Sequence, residues 1–167
     1  VASEGKNLGS TFTVHLPLYK GDASEREVET SIVAASGEGL RVLVVDDNQD
    51  SAKTMGWTLE ALGHKYRLAF DGQSAIQAGE SYLPQLVLLD IGLPGMTGYE
   101  VCTALKTLPA LRDTLFVAQT GWGQPEDKEK ARLAGFNHHL VKPVDIRELQ
   151  KIIDGYRAGA AAGTSQN

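Results

Sequence analysis

The sequence has a single cysteine, Cys102, among 167 residues, which excludes an internal disulfide and points to a reducing compartment. Long apolar runs are also missing. The longest, such as Leu86–Leu89, are far too short to cross a bilayer, so no membrane contact is expected from these residues. No basic cluster stands out: net charge is −5, and Lys and Arg are scattered. That pattern offers no face for a nucleic-acid backbone, and no helix-turn-helix module follows Tyr156. The chain opens at Val1 without a signal-like charged and apolar segment, from which a fragment of a longer protein is expected.

What is present is ordinary globular composition, 42% hydrophobic and 22% charged, with room for one domain and a short appendage. Residues 1–19 read as a Gly-rich turn feeding a half-buried strand, in which Phe12, Val14 and Leu16 alternate with Thr13 and His15. So small a hairpin needs a partner surface. Residues 20–39 are acidic and rich in Ser, Ala and Gly and read as a linker, with a weak helix over Ser24–Ala35. The tail, residues 158–167, is low in complexity and is expected to be disordered.

Between these, residues 40–157 alternate regularly. Strands are expected at Arg41–Val45, Tyr66–Phe70, Gln85–Asp90, Leu115–Thr120 and residues 136–142. Helices are expected at Ser51–Leu62, Gln73–Ser81, Gly98–Leu108, Pro125–Ala134 and Ile146–Tyr156, with Gly63 and Gly135 as stops and Asp145 as a cap. Short helical crossovers between strands require an α/β fold with a parallel sheet and helices on both faces. Ligands of such sheets bind beyond the carboxyl ends of the strands, where the winding direction switches. Asp46 and Asp47 follow the first strand, Asp90 ends the third, Thr120 the fourth, and Lys142 the fifth.

Three carboxylates, one hydroxyl and one ammonium meeting in one crevice define a chemistry. Carboxylates so close do not all ionise cheaply, so a cation is expected among them, and oxygen ligands favour Mg²⁺. Such an ion neutralises charge on a phosphoryl group in flight and leaves one carboxylate as nucleophile. An electron carrier with the same sheet would need a phosphate-cradling loop after the first strand, where Asp46 and Asp47 are hostile to an anionic cofactor. An aspartyl phosphatase would carry its nucleophile after strand one, not strand three.

The segments VLVVDDN (Val42–Asn48), LLDIGLPGMTGYE (Leu88–Glu100), AQTG (Ala118–Gly121) and VKP (Val141–Pro143) resemble the motifs of the receiver domain of two-component signalling. The resemblance covers residues 40–157 and implies a doubly wound, flavodoxin-like sheet of strand order 2-1-3-4-5. It implies Asp90 as phosphoacceptor, and Mg²⁺, with Mn²⁺ as a substitute, held by Asp47, Asp90 and the Gly92 carbonyl. Asp46 would act largely through a bridging water. Thr120 and Lys142 would bind the phosphoryl oxygens, and the Lys142–Pro143 peptide would be cis. His139 occupies the position where many receivers carry a switch aromatic, so coupling through a swinging Tyr or Phe lacks its usual residue. Gly92 and Trp122 would flank the site and tune hydrolysis. Met55 and Trp57 read as packing residues or partner-docking surface, and His138–His139 as neighbours on opposite strand faces rather than a metal pair.

SEGKNLGSTFTVHLPL, roughly residues 3–18, resembles the last glycine motif and closing strand of the histidine-kinase ATP-binding domain. The kinase's phosphorylatable histidine segment and asparagine-bearing nucleotide motif are absent from these residues. The combination implies the carboxyl-terminal end of a cytoplasmic hybrid sensor kinase, whether or not the parent is anchored in a membrane. Its partner would be a kinase dimerisation/phosphotransfer domain or a histidine phosphotransfer protein. Catalysis would be limited to the domain's own phosphorylation and dephosphorylation. A stand-alone single-domain response regulator is the alternative.

Overall fold

The computed structural model describes residues 5, 9, 11, 13–15, 39–121 and 125–163, with backbone alone for 125–128 and 160–163. The chain divides into two compact units, Val1–Ile32 and Val33–Asn167. In the first, Gly5 and Gly9 take φ of 123° and 84°, and Thr11 forms an isolated β-bridge. Phe12, Leu16, the Ser24–Ala35 helix and most of the 20–39 linker lie outside the described residues.

In the second unit, runs rich in Val and Leu become strands β1 (Arg41–Val45), β2 (Lys65–Ala69), β3 (Leu86–Asp90), β4 (Leu115–Thr120) and β5 (His138–Val141). Helices α1 (Gln49–Ala61), α2 (Gly72–Tyr82), α3 (Gly98–Lys106), α4 (Pro125–Ala134) and α5 (Ile146–Gly163) alternate with them. Every strand pair is parallel and the order is β2-β1-β3-β4-β5, the doubly wound arrangement expected from the motifs. Successive side chains point to opposite faces, so β1 splits its residues between two cores. Leu43 and Val45 pack with Val87, Leu89, Phe116 and the buried faces of α2, α3 and α4. Val42 and Val44 pack with Leu86, Leu88, Val117, α1 and α5. β3 is buried along its whole length, which is why it reads as a continuous apolar run ending in one acid.

Local chemistry sets the helix ends. Asn48 caps α1, its side chain accepting from the Asp50 and Ser51 amides, so the helix starts two residues before the Ser51 expected. Capping boxes open α2 at Asp71–Ser74 and α3 at Thr97–Glu100. The expected tail needs correction at Ala158: α5 continues to Gly163 rather than stopping at Tyr156, because the Ala-rich stretch is strong helix former and not a coil signal. Residues 164–167 lie outside the described set. Strand β2 begins one residue earlier than expected, and α3 stops at Lys106 before a 3₁₀ turn at Pro109–Leu111. Met55 packs in the α1 face, whereas Trp57 is 62% exposed. Among the described residues no helix is long and apolar enough to cross a membrane.

At the end of the sheet away from the acids, the buried His64 fixes the entry to β1. Its Nδ1 accepts from the Leu40 amide at 3.2 Å. Burial, helped by the Arg157 charge and opposed by Asp154, holds this imidazole below its ordinary 6.5. A base whose folded value lies below its unfolded value adds stability above the unfolded value and loses it as pH falls. Thermal stability should therefore drop between about pH 7 and about pH 5, within the range where histidine titrates. His64→Asn, which keeps an acceptor for Leu40 but does not titrate there, should flatten the slope in a melting series. An unaltered slope would contradict the assignment.

Candidate functional site

Strand register brings the polar residues to one edge. Val45 pairs with Leu89, so Asp46 stands level with Asp90. Asp90 pairs with Gln119, and Thr120 with Val141, so Thr120 and Lys142 each stand one residue beyond. The Lys142 amide donates to the Thr120 carbonyl at 2.8 Å, and the Lys142–Pro143 peptide is cis. Carboxylate oxygens of Asp46, Asp47 and Asp90 lie within 4.8 Å of one another.

The three acids are not equivalent. Asp46 is 1% exposed and its oxygens are engaged: Oδ1 accepts from the Asn48 amide at 3.0 Å, and Oδ2 from Ser51 Oγ and Lys142 Nζ, both at 2.8 Å. Asp90 accepts from the Gly92 amide on Oδ1 at 2.9 Å and from Lys142 Nζ on Oδ2 at 2.5 Å. Asp47 is exposed and makes no hydrogen bond or ion pair with a described residue. Asp47 thus has its oxygens free, while Asp46 has few left. Thr120 Oγ1 is buried without a hydrogen-bond partner.

Gly98 opens α3 directly beneath this edge, its amide donating to the Ile91 carbonyl at 3.1 Å. A Cβ there would collide with the Asp90 carbonyl oxygen and Ile91 Cα, so only glycine lets the helix start so close to the acid.

Electrostatically, one ammonium faces three carboxylates. Burial disfavours the charged lysine, but hydrogen bonds to Asp46 and Asp90, together with their charges, outweigh it and raise Lys142 above its usual 10.5. The ammonium is therefore charged at neutral pH, and this contribution to stability holds below 10.5 and is lost only as pH rises through the raised value. A surplus of negative charge remains. Hard oxygen donors, a free carboxylate at Asp47 and an orphaned hydroxyl at Thr120 fit a divalent cation with a phosphoryl group beside it.

All the strand-end residues singled out in the sequence meet here. Gly92 does so through its amide on Asp90. Trp122 lies outside the described residues. His138 is exposed and His139 half-buried, on opposite faces of β5, and neither joins the acidic cluster. Ser51 and Gly98 were missed: a serine one turn into a helix and a glycine opening another carry no chemical signal until the fold sets them against Asp46 and Asp90.

An acidic cluster beyond the carboxyl ends of a doubly wound parallel sheet defines a class of α/β domain with a polar pocket at the sheet edge. The family described as response regulator receiver domain matches residues 42–154, and the chain belongs to it; it is a receiver domain of two-component signalling. It is 30% identical over 156 residues to the autoinducer 2 sensor kinase/phosphatase LuxQ of Vibrio vulnificus, covering 90% of this chain and 18% of that protein. It is also 33% identical over 117 residues to an uncharacterised 14.6 kDa protein of Leptolyngbya boryana, covering 70% of this chain and 89% of that one. Among solved structures, it resembles the receiver domain of sensor histidine kinase PA1611 from Pseudomonas aeruginosa, which holds a magnesium ion in its active-site cleft. That match has a TM-score of 0.65 at 29% identity and covers 71% of this chain and 97% of that domain.

Replacing the ammonium separates its two effects. Lys142→Met should lower stability in EDTA by about 1–3 kcal/mol, because the acids lose their neutralising charge. It should also tighten Mg²⁺ binding about tenfold, worth about 1.4 kcal/mol, because a competing cation is gone. Calorimetric titration alongside melting curves reads both, and unchanged or weaker Mg²⁺ affinity would contradict the balance described.

Proposed function

We propose that this domain accepts a phosphoryl group on Asp90 from a phosphohistidine, as the receiver at the carboxyl-terminal end of a cytoplasmic hybrid sensor kinase. The observation that carries the reading is Lys142 Nζ bridging Asp90 Oδ2 and Asp46 Oδ2, beside a free Asp47 and an unpartnered Thr120 hydroxyl. Asp47, Asp90 and the Gly92 carbonyl would hold Mg²⁺, or Mn²⁺ in its place. Asp46, its oxygens already engaged, would act through a bridging water. The bound ion supplies charge neutralisation on the transferring phosphoryl group. An Asp90 carboxylate oxygen attacks phosphorus, the N–P bond breaks, and the imidazole departs with the electron pair, leaving an acyl phosphate on Asp90. Lys142 moves its ammonium from the carboxylates to a phosphoryl oxygen, and Thr120 Oγ1 donates to another. That inward pull on Thr120 remodels the surface around α4, β4 and β5.

The donor is a kinase dimerisation/phosphotransfer domain or a histidine phosphotransfer protein, docked on the start of α1 with Met55 contributing. The LuxQ alignment supports the kinase context. Its 90% share of this chain cannot be reached by residues 40–167 alone, so it extends into the first 39 residues, where the closing-strand motif lies. The Leptolyngbya boryana protein favours a second reading, a stand-alone regulator, because the shared region makes up 89% of it. The domain order in the full coding sequence decides between them.

Incubation with acetyl phosphate and Mg²⁺, followed by intact mass measurement, should add one phosphoryl group to the wild type and none to Asp90→Asn. EDTA should abolish the addition. An unmodified wild type, or a labelled Asp90→Asn, would remove the acceptor assignment.

A further inference from the structure

Strand β4 ends in two polar residues whose side chains leave the sheet on opposite faces, Gln119 and Thr120. Both are buried, and both carry a polar atom without a hydrogen-bond partner: Thr120 Oγ1 and Gln119 Nε2. The phosphoryl chemistry uses the threonine and leaves the glutamine unexplained. Gln119 is only 2% exposed. Farther down the same face stand Val117, Leu88 and Val44, so an aliphatic side chain at 119 would continue the core without an orphaned amide.

The Gln119 side chain, buried as it is, lies in the floor of an open cleft. This cleft has a volume of about 660 Å³, and its walls include Thr54 and Met55 of α1 and Lys142, Pro143 and Val144 of the loop after β5. The cleft therefore has an apolar wall and, just beneath its floor, a buried amide with an unsatisfied N–H donor. An occupant matching it brings an apolar side chain and, beside it, a hydrogen-bond acceptor. The cleft runs up to Lys142, whose ammonium reaches Asp90, so a protein delivering a phosphoryl group to Asp90 must lie over its rim.

We propose that Gln119 is a specificity-determining residue for the protein phosphodonor: on docking its side chain turns into the cleft, and Nε2 donates to an acceptor side chain on the donor's surface, next to an apolar contact on Met55 and Val144. This rests on the phosphoacceptor reading above. A small donor such as acetyl phosphate does not fill the cleft and gains nothing from the amide, whereas a protein donor does. A buried donor left unpaired is costly, and pairing it on docking recovers that cost in binding rather than in chemistry.

The test compares wild type with Gln119→Met, which keeps the length of the side chain and removes the amide. Acetyl phosphate with Mg²⁺ should label the two at equal rates, and Gln119→Met should melt no lower than wild type. With a panel of purified histidine phosphotransfer proteins carrying ³²P-phosphohistidine, the fastest donor to the wild type should show a KM raised about tenfold by Gln119→Met, with kcat nearly unchanged. Gln119→Glu, an isostere without the N–H donor, should lose as much. An unchanged KM would overturn the proposal and leave a water as the amide's partner. So would acetyl phosphate labelling without transfer from any panel member, since the cleft would then receive no donor. Failure of acetyl phosphate to label the wild type is a different result, and it strikes the Asp90 reading first.

Discussion

The structure turns on one ammonium set between carboxylates that would otherwise repel each other. Lys142 Nζ lies within hydrogen-bond distance of both Asp46 and Asp90, and neither acid is more than slightly exposed. A buried carboxylate without a partner is costly, and two of them facing each other are costlier. The lysine offsets enough of that cost for the sheet edge to fold. It leaves Asp47 and a net negative charge outstanding, and that remainder is the chemical potential of the site. A site fully neutralised by its own side chains would have no use for a metal.

The fold makes this arrangement affordable by fixing the backbone rigidly behind it. β3 is buried on both faces and flanked by β1 and β4 in continuous parallel register, so Asp90 cannot slide relative to Asp46 or Thr120. Gly98 brings α3 up against the Asp90 backbone from one side, and the Asn48 cap starts α1 on the other, which aims Ser51 at Asp46. What is free to change is the ammonium, at the end of a flexible four-carbon stem. A phosphoryl group competing with the carboxylates for Lys142 alters the charge balance at one point, and Thr120 is the adjacent group with a hydrogen bond still to make. On the proposed mechanism, local chemistry would thereby be converted into a shift of the β4 end.

Much of this was legible in the sequence, for physical reasons that also explain the misses. Strands buried on both faces must be nearly pure aliphatic, so the runs LVLL and LFVA announce β3 and β4, and the acid of one and the hydroxyl of the other stand out at their polar carboxyl ends. The amphipathic helices were found with ends off by a residue or two, because a cap such as Asn48 also reads as the polar end of a strand. The carboxyl-terminal part of α5 reads as coil in the sequence, since low complexity and high alanine content point in opposite directions. Ser51 and Gln119 could not be recognised from spacing alone: a hydroxyl bonded to Asp46 and an amide without a partner are facts of packing. The likeness to known receivers adds the family and no more. The division of labour among the three acids rests on their hydrogen bonds.

The central claim is that Asp46, Asp47 and Asp90 converge on a single cation position beside Lys142. Anomalous diffraction from crystals grown with Mn²⁺ tests it directly. One strong peak within ligand distance of Asp47, Asp90 and the Gly92 carbonyl is the result the account predicts. A peak elsewhere on the domain, or none with Asp47 and Asp90 ordered and turned apart, would contradict it.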